Sequence, residues 1–240
     1  MGHFQQHFFV KKVSETFYSK QQSLNILEVG SYLVNQSIRD LFPNSKFVGY
    51  DLINGPNVEV VYDGKEIKSN KTFDISISCE CFEHNPYFLE NFHQMINLTK
   101  DSGLVIITCA TTGRLEHGTS RTDSSSPGSA QKFDYYKNLT PKDFGKKNRL
   151  LKIFNSYHIF INHWTRDLYF IGQKKGPTKF DLKSFAFNYL EYNSIVSIKT
   201  ISIKEKLYLF LKNIILTRII SMILPDIIFR KFRIILKKII

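Results

Sequence analysis

The chain is poor in cysteine, with three among 240 residues: Cys79, Cys81 and Cys109. An odd count without disulfide spacing fits a reducing compartment and excludes a disulfide-stapled secreted scaffold. Apolar runs towards the C-terminus are broken by Lys212, Arg218, Pro225, Asp226 and Arg230, so none reaches the roughly 18 residues of a spanning helix. Gln5, Gln6 and His7 interrupt the first apolar stretch, which therefore lacks the core of a signal peptide. A cytoplasmic protein is the expectation. Several catalytic signatures are missing too. There is no H-E-x-x-H, no paired C-x-x-C and no spaced carboxylate set, so no metal site is expected. G-x-S-x-G and the P-loop are also absent.

What is present reads as one globular unit with an appendage. Hydrophobic residues make up 42% of the chain and charged residues 22%, ordinary values for a folded domain. A chain of this length can bury one good core. The formal net charge of +12 is high, and it is spread unevenly. Residues 180–240 contain no glycine, and basic residues recur among apolar ones from Lys204 to Lys212 and from Arg230 to Lys238. Basic amphipathic helices of this kind can lie on an anionic membrane surface. They can equally pack on the domain or on a second subunit, giving a homodimer, or serve as an arm for nucleic acid. The expected division is a helical lead-in over 1–22, an α/β domain over 23–176 and a basic helical extension over 177–240.

Within the domain, apolar strands alternate with helical stretches. Strands are expected at 24–29, 46–51, 57–61, 73–78 and 103–108, with helices at 33–42 and near 86–99. Two late β-rich segments, 157–162 and 168–173, would close the sheet as an antiparallel end hairpin. Such alternation implies mostly parallel pairing with right-handed crossovers, a doubly wound seven-stranded sheet. The Ser/Thr/Gly/Pro-rich stretch from Ala110 to Gln131 reads as a long loop at the carboxyl end of a strand, the usual place of a lid or binding element. Thr140 before Pro141 reads as a helix cap.

The first strand and its successor carry the strongest signal. Glu28-Val29-Gly30-Ser31 ends one strand, and Asp51 ends the next, twenty-one residues after Gly30. In doubly wound folds these two ends are adjacent, and an acid there can bind both hydroxyls of a ribose. A dinucleotide pyrophosphate would need G-x-G-x-x-G so that its oxygens reach backbone amides. Here Ser31, Tyr32, Leu33, Val34 and Asn35 follow Gly30 instead, and Glu28 adds a carboxylate that favours a cationic ligand. S-adenosylmethionine, with a sulfonium, an ammonium and a ribose but no phosphate, suits this chemistry better than NAD.

Glu28-Val29-Gly30-Ser31, then Asp51, then Phe73 through His84 (F-D-I-S-I-S-C-E-C-F-E-H) resemble the ordered motifs of class I S-adenosylmethionine-dependent methyltransferases. The resemblance covers roughly residues 20 to 175. It implies a Rossmann-like methyltransferase fold and a cofactor site of Glu28, Gly30, Ser31, Asp51, Leu52, Asp63, Cys79 and Glu80. Glu28 and the backbone near Gly30 would serve the methionine end, Asp51 the ribose, and Asp63 the adenine amino group. Cys79 and Glu80 would line the transfer cleft. The glycine motif departs from the fuller E-x-G-x-G-x-G form.

Methyl transfer to a hydroxyl benefits from a base with a pKa near neutrality, and His84 and His117 are the candidates. Arg114 could bind an anionic group of the substrate. Base methyltransferases of this superfamily often carry Asn/Asp-Pro-Pro-aromatic after the fourth strand. Cys79-Glu80-Cys81-Phe82 stands there instead, which lowers nucleic-acid methylation. The expected function is methyl transfer to an oxygen or nitrogen of a small molecule or of a glycan or lipid-linked sugar precursor, near the cytoplasmic membrane face. The rivals are an RNA-modifying enzyme using the basic tail and a homologue that binds cofactor without catalysis. A dehydrogenase ranks last among the readings, for want of the second and third glycines.

Overall fold

The computed structural model describes residues 4–122, 128, 132–162, 165–178 and 180–189. The first of two compact units runs from Met1 to Ala186. Most of the expected basic extension, from residue 190 onward, lies outside the described residues.

The unit is built on a seven-stranded sheet. Its strands are β1 (Asn25–Val29), β2 (Lys46–Asp51), β3 (Val60–Val61), β4 (Phe73–Cys79), β5 (Thr99–Ala110), β6 (Phe154–Asn162) and β7 (Asp167–Lys174), in the order β3-β2-β1-β4-β5-β7-β6. The first five pair in parallel; β7 runs antiparallel to β5, and β6 antiparallel to β7. The expected end hairpin is present. Both faces of the central strands are covered: Ile26, Leu27, Ile75, Ile77 and Leu104 to Ile107 are fully buried, and so are Ser76 and Ser78 of β4. The strand order reverses beside β1, between β2 and β4. That is the topological switch point, where ligands of open α/β sheets bind at the carboxyl ends of the strands.

Helices cover the sheet. α1 (Phe4–Phe17) buries Phe9 against Tyr169 and Phe160. Phe17 also meets Phe180 and Phe185 from the segment after β7, so residues 180–186 pack with the domain. α2 (Phe88–Leu98) crosses from β4 to β5 and buries Phe92, Met95 and Ile96. Phe92 meets Phe170 and Phe144 edge to face, with ring centroids 5.3 Å apart in each case. Each such fully buried side chain stabilises the fold by about 1.5–3 kcal/mol. Thr140 caps a short 3₁₀ turn (Pro141–Phe144) through a capping box with Asp143, as the Thr-Pro pair predicts. α3 (Lys147–Ile153) then leads into β6.

One expected element is replaced. The helix expected over 33–42 is absent; the chain is irregular from Ser31 to Ile38 and makes only a 3₁₀ turn at Arg39–Leu41. Asn35 and Ser37 favour side-chain bonds to nearby backbone over helix continuation. Ser37 Oγ accepts from the Arg39 N–H at 3.1 Å. Arg39 then holds the segment by long-range bonds: its guanidinium donates to Glu28 at 2.9 Å, to Glu59 at 2.8 and 2.9 Å, and to the Asn57 carbonyl at 2.6 Å.

Candidate active site

The carboxyl ends of β1, β2 and β4 and the loop after β5 surround an open cleft. The turn after β1 is tied to β2, because the Gly30 and Ser31 N–H groups both donate to the Tyr50 carbonyl at 2.8 and 3.2 Å. Gly30 has φ +77°, and a Cβ there would collide with the Cys81 side chain. Only glycine meets both demands. Ser31 is buried beside it, and its hydroxyl has no hydrogen-bond partner among the described residues. A buried, unpartnered hydroxyl on a cleft wall calls for a ligand.

Asp51 forms the β2 wall. Its Oδ2 accepts from the Tyr32 N–H at 2.9 Å and its Oδ1 from the Leu52 N–H at 2.7 Å, which fixes the carboxylate's orientation. Burial raises its pKa, and the backbone donors partly oppose the rise. Leu52 also lines the cleft. Glu28 faces the cleft from β1, paired with Arg39. Burial pushes its carboxyl up to about 7 despite that pairing. Cys79 and Glu80 line the β4 side. Glu80 is buried in a left-handed conformation, φ +51°, a strained backbone of the kind that gathers at functional sites. Its N–H donates to the Thr108 carbonyl on β5 at 2.8 Å. Burial raises the Cys79 and Cys81 thiols, so neither supplies a thiolate at neutral pH.

His84 and His117 lie together, though 33 positions separate them. His84 ends a 3₁₀ turn (Phe82–His84) after β4, and His117 sits in the loop after β5; β4 and β5 are neighbours in the sheet. Their ring centroids are 4.9 Å apart, and Tyr136 completes a triangle at 5.4 and 5.0 Å. Both imidazoles line the cleft. Burial pushes His84 down to about 2, and His117 down to about 4 against the opposing bond to Leu115. Both are neutral at pH 7, weaker bases than the near-neutral one expected from the sequence. His117 Nδ1 lies 3.0 Å from the Leu115 carbonyl. A carbonyl only accepts, so Nδ1 carries the proton and Nε2 keeps its lone pair. Behind them, Glu83 is fully buried; its Oε1 accepts from the Ala110 N–H at 3.1 Å. Burial and the nearby Glu80 push its carboxyl up to about 8.

Two expected site residues are elsewhere. Asp63 is exposed, and its Oδ1 caps the next turn by accepting from Lys65 and Glu66 at 2.8 and 3.0 Å; it is not part of the cleft lining. Arg114 is turned inward, its Nη1 donating to the Thr165 carbonyl at 2.6 Å and lying 3.5 Å from buried Asp167. An internal clamp of this kind is a different role from binding substrate in the cleft.

No family model and no curated protein matches the sequence. Solved structures do. BpumL, the plantazolicin methyltransferase solved with S-adenosylhomocysteine (SAH), is 17% identical, covers 72% of this chain and 84% of its own, and gives a TM-score of 0.50. The fold is that of class I methyltransferases. Two more methyltransferases of lower overlap are NodS, an N-methyltransferase from Bradyrhizobium japonicum WM9, and an S-adenosylmethionine-dependent enzyme from Clostridium acetobutylicum ATCC 824. NodS is 9% identical over 72% of this chain and 87% of its own, TM-score 0.49. The clostridial protein is 12% identical over 73% and 93%, TM-score 0.47. Several residues of the cleft carried no sequence signal: Gln6 from α1, Asn57 after β2, Tyr62 after β3, and Asn85 after β4. Each reaches the cleft through packing between elements remote in sequence.

Proposed function

We propose that the chain transfers a methyl group from S-adenosylmethionine to an oxygen or nitrogen of a small molecule or a glycan precursor. The observation that carries this reading is the cleft itself. It runs from Asp51 on β2, across Gly30 in the turn after β1, to the loops after β4 and β5 that bring His84 and His117. The residues present fit the cofactor: a carboxylate held rigid for a ribose, a tight turn at Gly30 tied to β2, and a buried hydroxyl at Ser31 that lacks a partner. BpumL, similar in fold, was solved with SAH, the demethylated form of that cofactor.

Bound S-adenosylmethionine supplies an activated methyl group, so the protein's work is alignment and exclusion of water. Asp51 binds the ribose hydroxyls, and Glu28 and the Gly30–Ser31 turn take the methionine end. His84 and His117 hold the acceptor's polar group with their lone pairs. As the new bond forms, the acceptor's proton becomes acidic and leaves, so a weakly basic imidazole suffices to receive it. The Cys79-Glu80-Cys81-Phe82 segment after β4, in place of an Asn/Asp-Pro-Pro motif, supports a small acceptor over a nucleic-acid base. Calorimetric titration tests the reading: S-adenosylmethionine should bind with micromolar affinity and NADH should not. Failure of the first, or equal binding of both, removes it.

A further inference from the structure

We propose that Glu83, His84 and His117 form a site for one divalent first-row transition-metal ion at the acceptor end of the cleft. The ligating atoms of the three residues all lie within 4.8 Å of one another. Bonds of about 2.1 Å in a tetrahedral shell place ligands roughly 3.4 Å apart, so the three side chains close in by up to about 1.4 Å to complete the set.

Each donor is prepared for this role by its surroundings. Glu83 has no exposed surface; one carboxylate oxygen is held by the Ala110 N–H, and the other, Oε2, has no hydrogen-bond partner among the described residues. A buried carboxyl oxygen without a hydrogen-bond partner is costly, and a cation that displaces the carboxyl proton satisfies it. His84 Nδ1 is likewise buried and unpartnered. His117 shows the arrangement typical of metal-binding imidazoles: Nδ1–H bonded to a backbone carbonyl, here Leu115, which orients the ring and leaves Nε2 as the ligand. Glu80, buried as well, adds a second carboxyl close to Glu83.

Two imidazoles and one carboxylate select an ion of the zinc, cobalt, iron or manganese type over magnesium or calcium, which prefer oxygen ligands. Three protein ligands leave coordination positions open, and both histidines line the cleft. The cation, rather than the imidazoles themselves, would then bind the acceptor's oxygen and lower its pKa, and the proton would pass to water in the open cleft. That role rests on the methyltransferase reading; the binding of the ion does not.

The test uses the untagged full chain, freed of metal with a chelator and titrated with cobalt(II) chloride. One equivalent should bind per chain and develop visible d–d bands. His117→Ala and Glu83→Gln should each weaken cobalt binding at least tenfold, with folding checked by melting temperature and by retained affinity for S-adenosylmethionine. No uptake by the wild-type chain, or unchanged affinity in both variants, overturns the proposal. Cobalt binding without S-adenosylmethionine binding sustains the metal site and sinks the transferase reading; the reverse pattern sinks the metal site alone.

Discussion

Replacing Asp51 by alanine separates cofactor binding from folding. Asp51 stands at the end of β2 with both carboxylate oxygens already engaged by the Tyr32 and Leu52 amides. If it also takes two ribose hydroxyls, the substitution removes two hydrogen bonds to a charged group. At about 1.5 kcal/mol each, the low end for charged acceptors, the loss is about 3 kcal/mol. That corresponds to a Kd for S-adenosylmethionine roughly 100-fold weaker. Folding suffers less, because water can reach the partly exposed turn: about 1–2 kcal/mol for two amides losing a protein acceptor, or a melting point lower by about 5 °C. Calorimetry and a thermal melt on the same preparation read both quantities. Asp63→Ala is the matched control and should bind as tightly as the wild type, since Asp63 only caps the exposed turn at Lys65 and Glu66. A folded Asp51→Ala protein with affinity within threefold of the wild type would refute the role given to Asp51.

Other expectations concern the walls of the cleft. Gly30→Ala places a side chain at φ +77° and against Cys81, so it should cost about 2 kcal/mol or more in urea unfolding and abolish measurable cofactor binding. Wild-type stability here would mean the turn is looser than described. Arg39→Ala strands Glu28 in a buried position and releases the segment from Ser31 to Ile38; a loss of about 3 kcal/mol is expected, with a weaker Kd as well. Stability unchanged by this variant would show that Arg39 does not hold the segment. For Glu28, whose carboxyl is pushed up to about 7 from an ordinary value of 4.5, the native state holds a proton that the unfolded chain has lost across that window. Its contribution to stability is therefore full below pH 4.5 and is lost as pH rises to 7. Urea melts from pH 4.5 to 7.5 should show a shallower decline in Glu28→Gln than in the wild type, and parallel curves would contradict the assignment.

The parts of the site legible in the sequence are those fixed by local signals. Glu28, Gly30 and Asp51 follow from strand composition, one glycine and a strand-to-strand spacing, and the sheet sets their adjacency through the β1–β2 register from Asn25–Lys46 to Val29–Tyr50. The histidine pair was nameable but its meaning was not. His84 and His117 meet only because β4 and β5 pair, and Glu83 joins them because the 3₁₀ turn after β4 buries it; no motif spacing encodes that set. The segment after Gly30 misled for a similar reason. Its composition allows a helix, but Arg39 is drawn to Glu28, Glu59 and Asn57, contacts eleven to twenty residues away that override local preference. Asp63 shows the converse: two amides immediately downstream claim its carboxylate before any ligand could.

The structure of the full chain with bound SAH tests the central claim most directly. The account predicts the ribose hydroxyls within hydrogen-bond distance of Asp51, the turn at Gly30 against the homocysteine portion, and the sulfur directed towards His84 and His117. A ligand bound elsewhere, or one with its ribose away from Asp51, would contradict it.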